Sequence, residues 1–177
     1  MPLPASRSTI PPSTTPSELI TEHCADIIAS PTMAIEASCI QHGSTSVLEH
    51  SIRVTAVALI LARHWRIPVD VRVLTRGSLL HDYFLYDWHD PEPWHRLHGF
   101  RHPAFACKNA IRDFAISRHE QAIIKTHMFP LVPIPPSTRE AALLCLADKI
   151  VATGETIEGF RERIRSRKEA RHDRHSS

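Results

Sequence analysis

At 177 residues, with 42% hydrophobic and 23% charged residues, the chain has the size and composition of one globular domain with its own core, which excludes a low-complexity or fibrous polymer. Its formal charge of +2 is unevenly placed, because residues 161–177 carry six Arg and one Lys against three acids; nucleic-acid binding through a basic face of the folded domain is therefore not expected. No apolar run approaches the roughly 20 residues of a membrane span, and the opening "MPLPASRSTIPPSTTPS" lacks the apolar centre of a secretory signal, so a cytoplasmic protein is expected.

Residues 1–17 hold five prolines and a single charge and read as a mobile arm. The folded part is expected to span 18–160, followed by a basic tail over 161–177 that extends the last helix or frays. "SELITEHCADIIAS" can cap on Ser17, and "PTMAIEASCIQHG" forms a second short helix with Gly43 as its stop. "SVLEHSIRVTAVALILARHW" opens on an S-x-x-E capping box at Ser46 and Glu49 and carries a broad apolar stripe through Val47, Ile52, Val54, Val57, Ala58 and Leu61, which predicts a long core helix. Pro68 breaks it, and Asp70 can cap the next helix, "VRVLTRGSLLHD", whose end carries His81 and Asp82.

From Tyr83 to Arg101 there is no helical period, and a long loop rich in aromatic and His side chains is expected. Pro103 then opens "PAFACKNAIRDFA". Ser117 with Glu120 repeats the capping box before a helix closed by His127. After the proline-rich "FPLVPIPP", Ser137 with Glu140 gives a third box ahead of "TREAALLCLADKIVATGETI". Strand signals are nearly absent, so the fold class is all-α, with about six or seven helices. Cys24, Cys39, Cys107 and Cys145 form no CxxC pair and read as small buried residues rather than thiolate ligands or disulfides.

Two chemical features stand out. Five of the thirteen histidines (His81, His89, His95, His98, His102) fall within 22 residues. In "GSLLHDYFLYDWHD" an imidazole and a carboxylate adjoin an apolar run, where both are costly to bury unless a partner such as a divalent cation compensates them. Asp148 poses the same problem inside "LLCLADKIV", with metal ligation or a salt bridge to Lys149 or a nearby Arg as the two solutions.

His50 in "LEHSIRV", the pair His81-Asp82 in "LLHDYF" and Asp148 in "LADKI" together resemble the HD-domain superfamily of metal-dependent phosphohydrolases, over about residues 40–155. The resemblance implies an HD-domain helical bundle that binds one or two divalent metal ions (Mn, Fe, Zn, Ni, Co or Mg) through His50, His81, Asp82 and Asp148. Members with two ions add histidines between the pair and the last Asp, a role open to His102 and His127, and Asp82 would bridge the ions. His42 is an alternative to His50, and His98 to His102. The implied reaction is hydrolysis of a small-molecule phosphate ester, such as a nucleotide, by a metal-activated water. Arg53 and Lys149 are candidates to hold phosphate oxygens.

This sequence departs from the family pattern at Leu85, where some relatives carry an acid or lysine that assists catalysis; Asp87 is the nearest substitute. The Gly-Tyr-Pro signature of the cyclic-dinucleotide branch is missing. Tyr83, Trp88 and Trp94 could stack on a nucleobase or pack the loop against the domain. Two further readings stay open: a non-catalytic binding or regulatory module, and a di-iron oxygenase of the HD type. No membrane contact is expected, and the sequence leaves a homo-oligomer open.

Overall fold

The computed structural model describes residues 7–42 and 45–173. Among the described residues seven helices surround the main core: α1 (Pro16–Ile28), α2 (Met33–Ser38), α3 (Val47–His64), α4 (Val71–Leu79), α5 (His98–Phe114), α6 (Arg118–Thr126) and α7 (Arg139–Asp173). Between α2 and α3 a two-strand antiparallel hairpin pairs β1 (Ile40–His42) with β2 (Thr45–Ser46), and a short 3-10 helix (Pro93–Leu97) precedes α5. This is the all-α bundle that the periodicity predicts. Among the described residues, no helix is long and apolar enough to cross a membrane.

Local chemistry places the helix starts. The boxes at Ser46/Glu49 and Ser117/Glu120 both form, and Asp70 accepts the Val73 N–H at 3.1 Å. Two starts differ from expectation by one or two residues. Helix α1 is capped by Thr15 with Glu18, not by Ser17, because Pro16 takes the first helical position, where its missing N–H costs nothing. Helix α7 is capped by Thr138, which accepts the Ala141 N–H at 3.1 Å; Glu140 is turned instead to the Asp70 N–H and Arg7.

Helix α4 is the axis of the fold. Every residue from Val73 to Leu79 is buried, enclosed by α1, α3, α6 and α7. A Cβ at Gly77 would lie 3.0 Å from the Ile123 side chain, so α4 and α6 approach this closely only because residue 77 has none. On α3 the buried face runs through Val47, His50, Val54, Ala58 and Ala62, while Ile52 of the expected stripe faces outward.

Three further expectations need correction. The helix expected over 31–43 ends at Ser38, and Ile40–His42 is strand; the hairpin sends Gln41 inward. The loop expected up to Arg101 stops earlier, because α5 begins at His98 and includes Pro103. The hydrogen bond that Pro103 cannot donate is offset by burial of His102, Pro103, Ala106, Cys107 and Ala110 on one face. In the N-terminal arm, residues 1–6 lie outside the described residues, but Ser8 exchanges both backbone hydrogen bonds with Val69 and Ile10 is buried, so an apolar anchor ties that part of the segment down. The expected stop at Gly43 also lies outside the described residues. The basic segment continues α7 to Asp173; the side chains of 167–173 and all of 174–177 lie outside the described residues. All four cysteines are buried and free.

Candidate metal centre

Five helices deliver side chains to one point at the C-terminal end of α4. His50 comes from the first turns of α3, His81 and Asp82 from the chain just past α4, His102 from α5, His127 from the end of α6, and Asp148 from α7. All six are buried, with His50 and His81 wholly so. The Nε2 atom of His50 lies 3.3 Å from Asp148 Oδ1, and that of His81 lies 3.4 Å from Asp82 Oδ2 and 3.8 Å from Asp148 Oδ1. On the other side of Asp82, Oδ1 lies 3.1 Å from His102 Nε2 and 3.5 Å from His127 Nε2. Two trios thus arise, His50–His81–Asp82 and Asp82–His102–His127, each with its ligand-type atoms within 4.8 Å of one another and sharing Asp82.

The orientation of the rings follows from their outer nitrogens. The Nδ1 atoms of His81, His102 and His127 face the carbonyl oxygens of Ser78, His98 and Ile124 at 2.8, 3.1 and 2.7 Å. Carbonyls only accept, so each Nδ1 donates and each Nε2 is turned into the cluster. The Nε2 atoms of His102 and His127 are nevertheless 2.8 Å apart, and two lone pairs at that distance repel unless a proton or cation lies with them. His81 Nε2 and Asp82 Oδ1 are buried without a well-formed hydrogen bond. This donor set of imidazoles and carboxylates, with inner atoms unsatisfied and outer atoms anchored, fits a borderline or hard divalent ion.

Protons can fill the same role on part of the set. Burial opposes charge on His50, yet Asp148 and Glu155 outweigh it and lift its pKa to about 10. His81 is raised in the same sense, with Asp82 and Asp148 overcoming its burial. The histidines keep Asp82 and Asp148 well below the usual carboxylate range despite burial. His127 is pushed down to about 3 by burial and by His102 and His81, which leaves it a neutral donor of its lone pair.

Two members of the site were not singled out by sequence reasoning. Glu155 is buried on α7, two turns beyond Asp148 on the same face, and its Oε2 lies 2.8 Å from His50 Nδ1. That seven-residue spacing was a readable signal. Gln41 donates to Asp82 Oδ2 at 2.6 Å; nothing local in the sequence marks it, because the hairpin alone carries it there.

The expected phosphate-handling residues are placed less favourably. Arg53 bonds Glu155 Oε1 and Thr45 Oγ1 and does not line the cavity over the cluster, because Glu155 draws it to the far side of His50. Lys149 does line that cavity, but its Nζ donates to the carbonyls of His127 and Cys145 and to Cys145 Sγ, so it holds the turn that carries His127. Asp87 accepts from the backbone and ring of His89 in an exposed turn and does not line the cavity. Leu85 has φ of 62° and packs against the main core, with its N–H bonded to buried Glu36. His98 stacks on His102 outside both trios. Tyr83 is buried and bonds Thr32 and Asp113, so it packs the loop, while Trp88 stacks on His98 and is half-buried in the cavity lining. The side chains of His42, Trp94 and His95 lie outside the described residues.

A family model described as HD domain matches residues 47–153, which contain all six clustered residues. No curated protein and no solved structure gives a significant match.

Proposed function

This chain belongs to the HD-domain family, and from that premise we propose that it is a metal-dependent phosphohydrolase that opens a phosphate ester with an activated water. The observation that carries the reading is the sharing of Asp82 by two His-rich trios. Two ligand sets joined by one carboxylate suit a pair of divalent ions, held by His50, His81, Asp82 and Asp148 on one side and by Asp82, His102 and His127 on the other. Ions there would lower the pKa of a coordinated water to about 7 and neutralise charge on the phosphoryl oxygens. The chain itself supplies the rest. Ser78, His98, Ile124 and Glu155 fix the four rings, Gln41 steadies Asp82, and Lys149 locks the His127 turn while adding positive charge to the cavity wall.

A second reading, a regulatory or binding module, is favoured by one observation: Leu85 packs into the core and Asp87 is held by His89, so neither supplies the helper acid. Metal analysis combined with a panel of phosphomonoesters, nucleotides and phosphodiesters in Mn²⁺ separates the two. Hydrolysis of at least one ester by protein with about one or two equivalents of metal supports the enzyme. Complete inactivity at full metal occupancy would leave the module.

A further inference from the structure

The cavity over the cluster is larger and more apolar than a phosphate group requires. It encloses about 530 Å³, enough for a small organic molecule. Asp82, His102, His127 and Asp148 contribute to its lining, and the run from Met128 to Leu131, with Trp88 and Ala152, adds apolar lining. Phe129 and Leu131 remain 36% and 45% exposed, so this run carries apolar surface that a ligand could cover. Among the described lining residues the only Arg or Lys side chains are Arg96 and Lys149, and Lys149 already donates to three acceptors.

We infer that the substrate is a phosphomonoester with a compact apolar or aromatic body, seated against Met128, Phe129 and Leu131, and not a nucleoside polyphosphate. This rests on the phosphohydrolase reading above. The charge balance of the lining favours it. Each further phosphate would bring charge against apolar side chains, where an unpaired anion is costly, and Arg96 alone remains uncommitted by the bonds described to meet it.

The test is calorimetric titration of the Mn²⁺-loaded full chain with a series of phosphonates that cannot be hydrolysed: methyl, propyl, pentyl, phenyl and 2,3-dihydroxypropyl. An apolar wall predicts an affinity increase of about fourfold per methylene, with propyl well above dihydroxypropyl. The variant Leu131→Asn, at a position 45% exposed and with its fold checked by circular dichroism, should flatten the increase with chain length. A flat series, or a dihydroxypropyl compound that binds as tightly as propyl, would overturn the inference. Hydrolysis assays keep the two readings apart. A rising series without hydrolysis of any ester sinks the phosphohydrolase and leaves the apolar subsite standing. Hydrolysis that favours nucleoside triphosphates over phenyl phosphate, with a flat series, does the reverse.

Discussion

Two buried charged clusters lie along the same helix and are resolved in opposite ways. Near the middle of α4, the Arg76 guanidinium is bidentate to Asp26 at 2.6 and 2.9 Å, bonds the His23 carbonyl, and lies 3.2 Å from Glu120. Glu120 also meets Arg72, so each charge has an opposite charge beside it. Beyond the C-terminal end of α4, the cluster around Asp82 crowds acceptor atoms together, and two imidazole nitrogens sit 2.8 Å apart. In the first set every charge is paired with an opposite one from the protein, although Arg76 Nε makes an ion pair and no well-formed hydrogen bond; the second crowds like acceptor atoms together and is satisfied only with protons or cations added from solution. A buried ionisable cluster therefore points to a ligand when its inner atoms face each other unsatisfied, not merely when it is charged.

Substitutions should separate the two clusters. The largest effect is expected at Asp82→Ala, which removes the carboxylate common to both trios: metal content should fall to near zero and hydrolysis by at least about 10³-fold, equal to about 4 kcal/mol of barrier, while circular dichroism shows an intact fold. Retained hydrolysis would place the reacting centre elsewhere. By contrast, Arg76→Ala should cost about 3–5 kcal/mol of stability in urea unfolding, since it leaves the buried Glu120 carboxylate with only the exposed Arg72 as counter-charge, with the metal content of the folded protein unchanged.

Glu36 shows a third solution to burying a charge, neutralisation, because burial raises its carboxyl to about 8. Its folded pKa lies above the unfolded 4.5, so the folded state holds the extra proton in between. The stability this provides is full below about pH 4.5 and is lost as pH rises towards 8. Glu36→Gln should remove that slope and gain on the order of a few kcal/mol at pH 8, read as Tm against pH; a wild-type profile that is already flat would contradict the assignment. The smallest effect is expected at Glu155→Ala, which frees His50 Nδ1: metal affinity should weaken about 10- to 100-fold, with Glu155→Gln intermediate and the fold unaffected. Identical loss in both variants would make Glu155 a packing residue.

The helical architecture was legible because capping chemistry and 3.6-residue periodicity are local. The boxes at Ser46 and Ser117 needed only four residues each. The six clustered residues were legible through their order along the chain, which matches the family pattern. What escaped was non-local or masked by a local signal. Pro103 looked like a helix start, but burial of five residues on one face of α5 carries the helix through it from His98. Gln41 enters through a hairpin that no strong strand pattern announces. Arg53 sits one turn from His50 as expected, yet spacing could not reveal that Glu155, 102 residues later, would claim it.

The central claim is that Asp82 lies between two cation sites. Anomalous diffraction from crystals grown with saturating Mn²⁺ tests it directly. Two peaks are expected, one bounded by His50, His81 and Asp82 and the other by Asp82, His102 and His127, about 3.5–4 Å apart. Ordered side chains in both trios with no anomalous signal at either would contradict the account.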